Sequence, residues 1–245
     1  MYHNNTDEKL QQLCETNQEL NKLIKEYEEE NKFLLSQITH EIRNPLTLIY
    51  STLQLIEHKN PDVAQITYWS NLKDDMKDVF SLLDQLSEYN HCDTLSIANV
   101  DLEAMLKDLS VSFQPYMTDK EASLKLSVAP DCKPVLCTYP CDKTKMKQVF
   151  VNLLKNAVEA VDQCGTIEIA CSMASASSLT ISVSNTGTTI SDEELERIFL
   201  PFVTTKSTGS GLGLPTVKRI LLSHNASIDV VSSENKTAFR ISLPI

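Results

Sequence analysis

A chain of 245 residues, 42% hydrophobic and 22% charged, is long enough for one large domain or two ordinary ones with packed cores, and it is too apolar for a disordered segment. Its formal net charge of −11 argues against nucleic acid and anionic lipid surfaces as partners, because both would repel it. No apolar run approaches the roughly 18 residues that cross a bilayer, residues 1–10 lack the layout of a signal peptide, and the seven cysteines are odd in number without paired spacing. The expectation is a cytoplasmic protein with reduced thiols, no nucleic-acid partner and no membrane insertion. Cys132, Cys137 and Cys141 lie close in sequence but have no histidine beside them, so no metal centre is expected there.

From the N-terminus, Leu10, Asn17, Ile24, Asn31 and Ile38 form one seven-residue series, and Leu13, Leu20, Tyr27 and Leu34 form a second. These heptads predict a coiled-coil helix over residues 1–35, with Asn17 and Asn31 on the seam favouring an in-register parallel dimer. A lone amphipathic helix packed on its own domain is the competing reading. The apolar spacing continues through Leu35, Ile38, Ile42, Leu46, Ile49, Leu53 and Ile56, breaks over the polar stretch 57–62, and resumes from Ile66 through Trp69, Leu72, Met76, Val79, Leu83 and Leu86 to end near Asn90. Residues 36–92 therefore read as a helical hairpin, and two hairpins from a homodimer would close a four-helix bundle.

The pattern changes after Asp93, with the boundary placed between Tyr89 and Asp101. Over residues 98–245, helical segments at 101–117 and 143–162 alternate with β-branched runs at 123–128, 166–172, 179–184, 227–232 and 238–243, and a serine-rich turn is expected over 172–178. This is the signature of an α+β sandwich, one mixed sheet covered by helices. The fold class expected is multidomain α and α+β, a dimeric helical bundle followed by an α/β sandwich.

Four segments carry residues with chemical potential. In the first, His40 points roughly 160° away from both Ile38 and Ile42 at about 100° per residue, so it faces solvent while they face the seam. Its imidazole, largely neutral near pH 7, offers a nitrogen lone pair, and Glu41 beside it is a proton acceptor. Pro45 removes a helix hydrogen bond one turn later and predicts a bend. On these facts alone an ordinary surface histidine is the favoured reading. In the second segment, Asn152, Asn156 and Glu159 recur at helical spacing along one edge of an otherwise apolar helix, and amide oxygens suit Mg²⁺ that shares nucleotide phosphates.

In the third segment, the strand-like run 179–184 leads into Asn185-Thr186-Gly187, where a glycine permits close backbone approach to a ligand. The fourth carries Thr204, Thr205 and Lys206, then Gly209, Gly211, Leu212 and Gly213 ahead of a helix over 215–222. Backbone N–H groups at such a helix start favour a polyphosphate, although a glycine run by itself is more often a flexible turn.

His40-Glu41-Ile42-Arg43-Asn44-Pro45-Leu46 resembles the phosphoacceptor box of bacterial sensor histidine kinases, and of the sporulation and nitrogen types in particular. The other three segments resemble that family's N box, first G box, and F and second G boxes, in the same order, so the likeness covers residue 36 to the C-terminus. The resemblance implies an ATP-binding catalytic domain over 98–245 and autophosphorylation of His40. It further implies transfer to an aspartate on a response-regulator receiver domain, with phosphatase activity toward the same regulator. By the same resemblance Glu41 activates His40, Asn44 orients water for dephosphorylation, Asn156 holds Mg²⁺, and Asn152 and Lys155 lie near the ATP phosphates.

Two positions depart from the family pattern. Asn185 stands where an aspartate usually accepts from the adenine amino group, and Thr189 stands where a second glycine is usual. They support an alternative, a nucleotide-impaired dimeric adaptor or phosphatase that binds a response regulator. A gyrase-like or chaperone ATPase is a third reading, opposed by the histidine-bearing hairpin.

Overall fold

The computed structural model describes residues 18–206 and 209–245. The chain divides into two compact units, with the division between His91 and Cys92. Residues 1–17 of the predicted coiled coil lie outside the described residues.

The first unit is a helical hairpin. Helix α1 spans Gln18–Lys59 and runs unbroken through residue 35, where the sequence suggested one domain gives way to the next. Glu19 in its first turn and His58 and Lys59 in its last complement the helix dipole. The helix also passes through Pro45, whose missing N–H leaves the Glu41 carbonyl without its usual i+4 partner.

A short 3₁₀ turn at Pro61–Gln65 reverses the chain, and α2 runs from Trp69 to Asn90 after Tyr68 in a left-handed conformation (φ 72°). This corrects the expected turn at 57–62. Pro61 presets the 3₁₀ geometry, so Ile66, assigned by its spacing to the second helix, lies outside it and is exposed.

Four rungs fasten the antiparallel pair: Asn90 Nδ2 to the Lys32 carbonyl at 2.7 Å, Arg43 to Asp84 at 2.8 Å, Tyr50 edge-on to Phe80 at 5.9 Å, and Lys73 to Glu57 at 2.6 Å. The hairpin nevertheless leaves Leu34, Ile38, Ile42, Ile49 and Ile56 exposed along α1, and Leu72 and Val79 along α2.

The second unit is a two-layer sandwich. A small antiparallel pair, β1 (Ala98–Val100) with β3 (Tyr139–Cys141), was not anticipated, because three-residue strands carry too little alternation to read. Between them come α3 (Leu102–Phe113), the short α4 (Pro115–Thr118), β2 (Ser123–Val128) and the short α5 (Lys133–Leu136). The predicted helix over 101–117 is thus two, interrupted at Gln114 where Pro115 cannot supply a helical N–H. After β3 follow α6 (Lys143–Ala160), β4 (Thr166–Ser175), β5 (Ser178–Thr186), the short α7 (Asp192–Leu195), α8 (Gly213–Ser223), β6 (Ser227–Ser233) and β7 (Lys236–Pro244). Strands β4 and β5 extend into the serine-rich segment, so the hairpin turn is tighter than the composition suggested.

The main sheet has the order β2-β4-β5-β7-β6, parallel between β2 and β4 and antiparallel elsewhere. Alternation along the strands puts Ile167, Ile169, Leu179, Ile181, Val183, Ile241 and Leu243 in the core, where α3, α6 and α8 cover them. Glu168, Thr180, Ser182, Arg240 and Ser242, out of phase with these, take the opposite face. Each fully buried Leu or Ile contributes about 1.5–3 kcal/mol, and this layer holds α6 and α8 rigidly over the sheet.

Candidate functional site

In the hairpin, His40 is exposed on α1, with Phe33, Ser36, Gln37 and Glu41 completing a shallow groove around it. Its neighbour Thr39, about 100° round the helix, is buried and returns its hydroxyl to the Leu35 carbonyl at 2.7 Å. Asn44, one turn on, brings Nδ2 to 3.5 Å from His40 Nδ1. The Arg43–Asp84 ion pair ties α1 to α2 at this level of the hairpin.

In the second unit the polar residues of α6 meet the chain that leads into α8. Asp142 starts α6 by accepting from the N–H groups of Thr144 at 2.9 Å and Lys145 at 3.0 Å, which satisfies two of the four donors that a helix start leaves open. Burial pushes the Asp142 carboxyl up, but N–H donation from Lys145, Ser96 and Thr144 and the Lys145 charge outweigh it, and the group lies below the usual carboxylate range. The buried His224, which closes α8, accepts the Asp142 N–H at Nε2 (3.0 Å) and donates from Nδ1 to the Ile220 carbonyl (2.7 Å). The imidazole is therefore neutral with its proton on Nδ1.

Further along α6, Asn152 Nδ2 donates to the Gly213 carbonyl at 3.4 Å, at the first residue of α8. Lys206 reaches back to Asn156 Oδ1 at 3.2 Å and pairs with Glu159. Among the described residues no side chain caps the start of α8, which carries the positive end of the helix dipole. Gly211, at φ 69°, accepts at its carbonyl from the Phe202 N–H (3.0 Å), and a Cβ there would strike the Phe202 backbone at 2.6 Å.

The C-terminal end of α6 abuts the exit of β5. Gly187 has φ 118°, and a Cβ would collide with the Ala160 carbonyl and approach the Asp162 nitrogen to 2.8 Å. Two residues earlier Asn185, only 3% exposed, donates from Nδ2 to the Thr186 carbonyl at 3.1 Å. A carbonyl only accepts, so the amide group facing it is the NH₂, and Oδ1 is left as an acceptor.

The structure thus brings Asn152, Asn156, Lys206 and Gly213 together, with Leu212 buried beneath and Asn185 and Gly187 at the far end of the same helix. Other expected residues are spent differently. Lys155 is exposed on α6 and enters none of these contacts. Thr204 Oγ1 accepts from the Lys206 N–H at 3.1 Å, and the Gly209 N–H donates to the Lys206 carbonyl at 3.3 Å. Thr205 hydrogen-bonds the Glu194 carboxylate, which N–H and O–H donation from Ser191 already holds below the usual range. Asp142 and His224 were missed from the sequence, although an aspartate opening a helical pattern is a recognisable cap signal.

Residues 141–245 match the family described as histidine kinase-, DNA gyrase B- and HSP90-like ATPases. Sporulation kinase C of Bacillus subtilis (strain 168) is 30% identical over 215 residues, covering 86% of this chain and 48% of that protein. The crystal structure of full-length ShkA in complex with AMPPNP superposes with a TM-score of 0.74 at 25% identity, covering 86% of this chain and 45% of that one. Histidine kinase ThkA, solved in complex with the response regulator TrrA, shares the fold at a TM-score of 0.62 and 24% identity, covering 91% of this chain and 66% of that one. The chain spans about half the length of the curated relatives it matches. With the ordered motifs and the sandwich that positions them, the chain is similar to the bacterial sensor histidine kinases over 86% of its length.

Proposed function

We propose that this chain is an ATP-dependent protein-histidine kinase of a two-component system, which phosphorylates His40 and passes the phosphoryl group to an aspartate of a response-regulator receiver domain. The convergence of Asn152, Asn156 and Lys206 on the start of α8 carries the reading, because an amide pair, an ammonium and an uncapped helix N-terminus are what a magnesium-bound polyphosphate requires. Lys206 Nζ donates to Asn156 Oδ1 and pairs with Glu159, which gathers the amide oxygen and the ammonium at one point of α6. Mg²⁺ held at Asn156 would neutralise phosphate charge. Asn185 Oδ1 would accept from the adenine amino group, with Gly187 allowing the close backbone approach.

At His40 a nitrogen lone pair forms the new N–P bond as the bond from the γ-phosphorus to the β,γ-bridging oxygen breaks, and ADP leaves with those electrons. With the Asn44 amide turned so that Oδ1 accepts from Nδ1–H, Nε2 carries the lone pair for attack. The imidazole proton is released to Glu41. Asn44 would then orient the water that hydrolyses the phosphorylated regulator. The exposed apolar stripe of the hairpin supports a homodimeric four-helix bundle, with residues 18–35 prolonging it as a coiled coil. Among the described residues no helix is long and apolar enough to cross a membrane and six cysteines are free thiols, in keeping with work in the cytoplasm.

The test is incubation with γ-labelled ATP and magnesium, comparing the unmodified chain with His40→Gln and Asn156→Ala. Acid-labile, alkali-stable label that disappears in both variants is expected. A folded chain that takes up no label at saturating ATP would overturn the proposal.

A further inference from the structure

Lys120 lies in the turn between α4 and β2, and its side chain does not end in solvent. Its ammonium donates to three main-chain carbonyls at the C-terminal end of α6: Val158 at 2.8 Å, Glu159 at 3.3 Å and Val161 at 2.9 Å. An ammonium has three protons and no lone pair, so the three oxygens saturate it. The last carbonyls of a helix lack intrahelical partners and carry the negative end of its dipole. Here a cation from a distant segment satisfies them together. The lysine is itself clamped, its own carbonyl accepting from the Cys164 N–H at 2.8 Å.

The segment so held is the wall against which Gly187 packs. The Ala160 carbonyl, enclosed between the carbonyls that Lys120 gathers, accepts the Thr188 N–H at 3.0 Å. Its oxygen is the atom that a Cβ at Gly187 would strike. Displacement of the end of α6 would therefore move Gly187, and with it Asn185.

We propose that Lys120 acts as a resident cation: its ammonium occupies a ring of carbonyl oxygens that would otherwise bind a potassium ion, and thereby positions the adenine-side wall. Converging backbone carbonyls are the means by which proteins replace the hydration shell of potassium, and an ammonium is close to potassium in size and identical in charge. The sequence holds no sign of this site, because all three acceptors are main-chain atoms. The effect on nucleotide rests on the function proposed above, whereas the cation site stands on the geometry alone.

The experiment measures Mg-ATP affinity by calorimetry and thermal unfolding for the unmodified chain, Lys120→Ala and Lys120→Met, in potassium chloride and in choline chloride at equal ionic strength. Loss of charged hydrogen bonds predicts affinity about tenfold weaker for Lys120→Ala in choline, restored to within about threefold by potassium. Lys120→Met, which fills the space without charge, should be weak in both salts, and the unmodified chain indifferent to them. Potassium should also raise the melting temperature of Lys120→Ala alone. A Lys120→Ala protein whose melting ignores potassium, or one that binds nucleotide normally in choline, would overturn the inference. An unmodified chain that binds no Mg-ATP would sink the nucleotide reading instead, with the melting comparison still deciding the cation site.

Discussion

Asn44 Nδ2 stands 3.5 Å from Nδ1 of His40 across one turn of α1, a separation at the outer limit of a hydrogen bond. A half-turn of the amide brings its oxygen to the same place, where it accepts from Nδ1–H and leaves the Nε2 lone pair for phosphorus. A contact this long and exposed contributes little to the reactivity of the ring, so Asn44→Ala should lower autophosphorylation by less than about tenfold. The same substitution should abolish regulator dephosphorylation, the step in which Asn44 is proposed to orient water. Parallel assays of label uptake and of the lifetime of the phosphorylated regulator check this. Equal losses in both would show that Asn44 serves the histidine alone.

Asn185 offers a second test, in which two effects of opposite sign compete. An aspartate there would make a charge-assisted bond to adenine, roughly twice the strength of a neutral one. It would also face the Thr186 carbonyl, to which Asn185 now donates at 3.1 Å, with an oxygen that cannot donate. Two acceptors brought together in a site only 3% exposed cost about 1–3 kcal/mol. The penalty should win, so Asn185→Asp is expected to melt at lower temperature without binding ATP more tightly. Calorimetric affinity above that of the unmodified chain, with unchanged melting, would contradict this balance.

How much was legible in the sequence depended on where the information was written. The strand over 123–128 was readable to the residue, because alternation there runs its full length against one buried face. The helix carrying Asn152 and Asn156 was readable because its apolar face is continuous from Met146 to Ala157. Ile66 misled because its spacing fits a helix that Pro61 and the left-handed Tyr68 delay. Lys155 was placed by analogy beside Asn152 and Asn156, whereas in the structure Lys206 is the lysine that contacts Asn156. Lys120 was invisible, since main-chain carbonyls carry no side-chain code.

The thiols among the described residues divide sharply. Cys137 and Cys164 are exposed, while Cys92, Cys132, Cys141 and Cys171 are buried. Burial pushes Cys141 up to about 11 and Cys171 up to about 12, from an ordinary 9.0. Iodoacetamide at neutral pH should therefore modify Cys137 and Cys164 and spare the buried four until the chain is denatured, as peptide mass mapping would record. For a raised thiol the unfolded chain ionises first, so the contribution of Cys141 and Cys171 to stability is whole below pH 9.0 and lost as pH rises toward 11 and 12. Melting temperatures flat across that interval would contradict the assignment.

Ile42, Ile49 and Ile56 stand seven residues apart on α1 and are 44%, 50% and 38% exposed. One hairpin cannot cover them, since its own rungs lie on a different side of the helix, at Arg43 and Tyr50. A heptad of isoleucines in water is the usual seam of a helical bundle. Ile49→Asp would put an unpaired carboxylate into that seam twice per dimer, and an uncompensated buried charge costs about 3–5 kcal/mol. At 1.4 kcal/mol per tenfold, the dimer dissociation constant should rise by at least about a hundredfold. Leu48→Asp is the control, because Leu48 is 70% exposed and off the heptad, and it should leave assembly unchanged. Sedimentation equilibrium separates the outcomes. An Ile49→Asp chain that stays dimeric while Leu48→Asp dissociates would move the seam to the other face of α1, and dissociation of neither would refute a bundle built on this stripe.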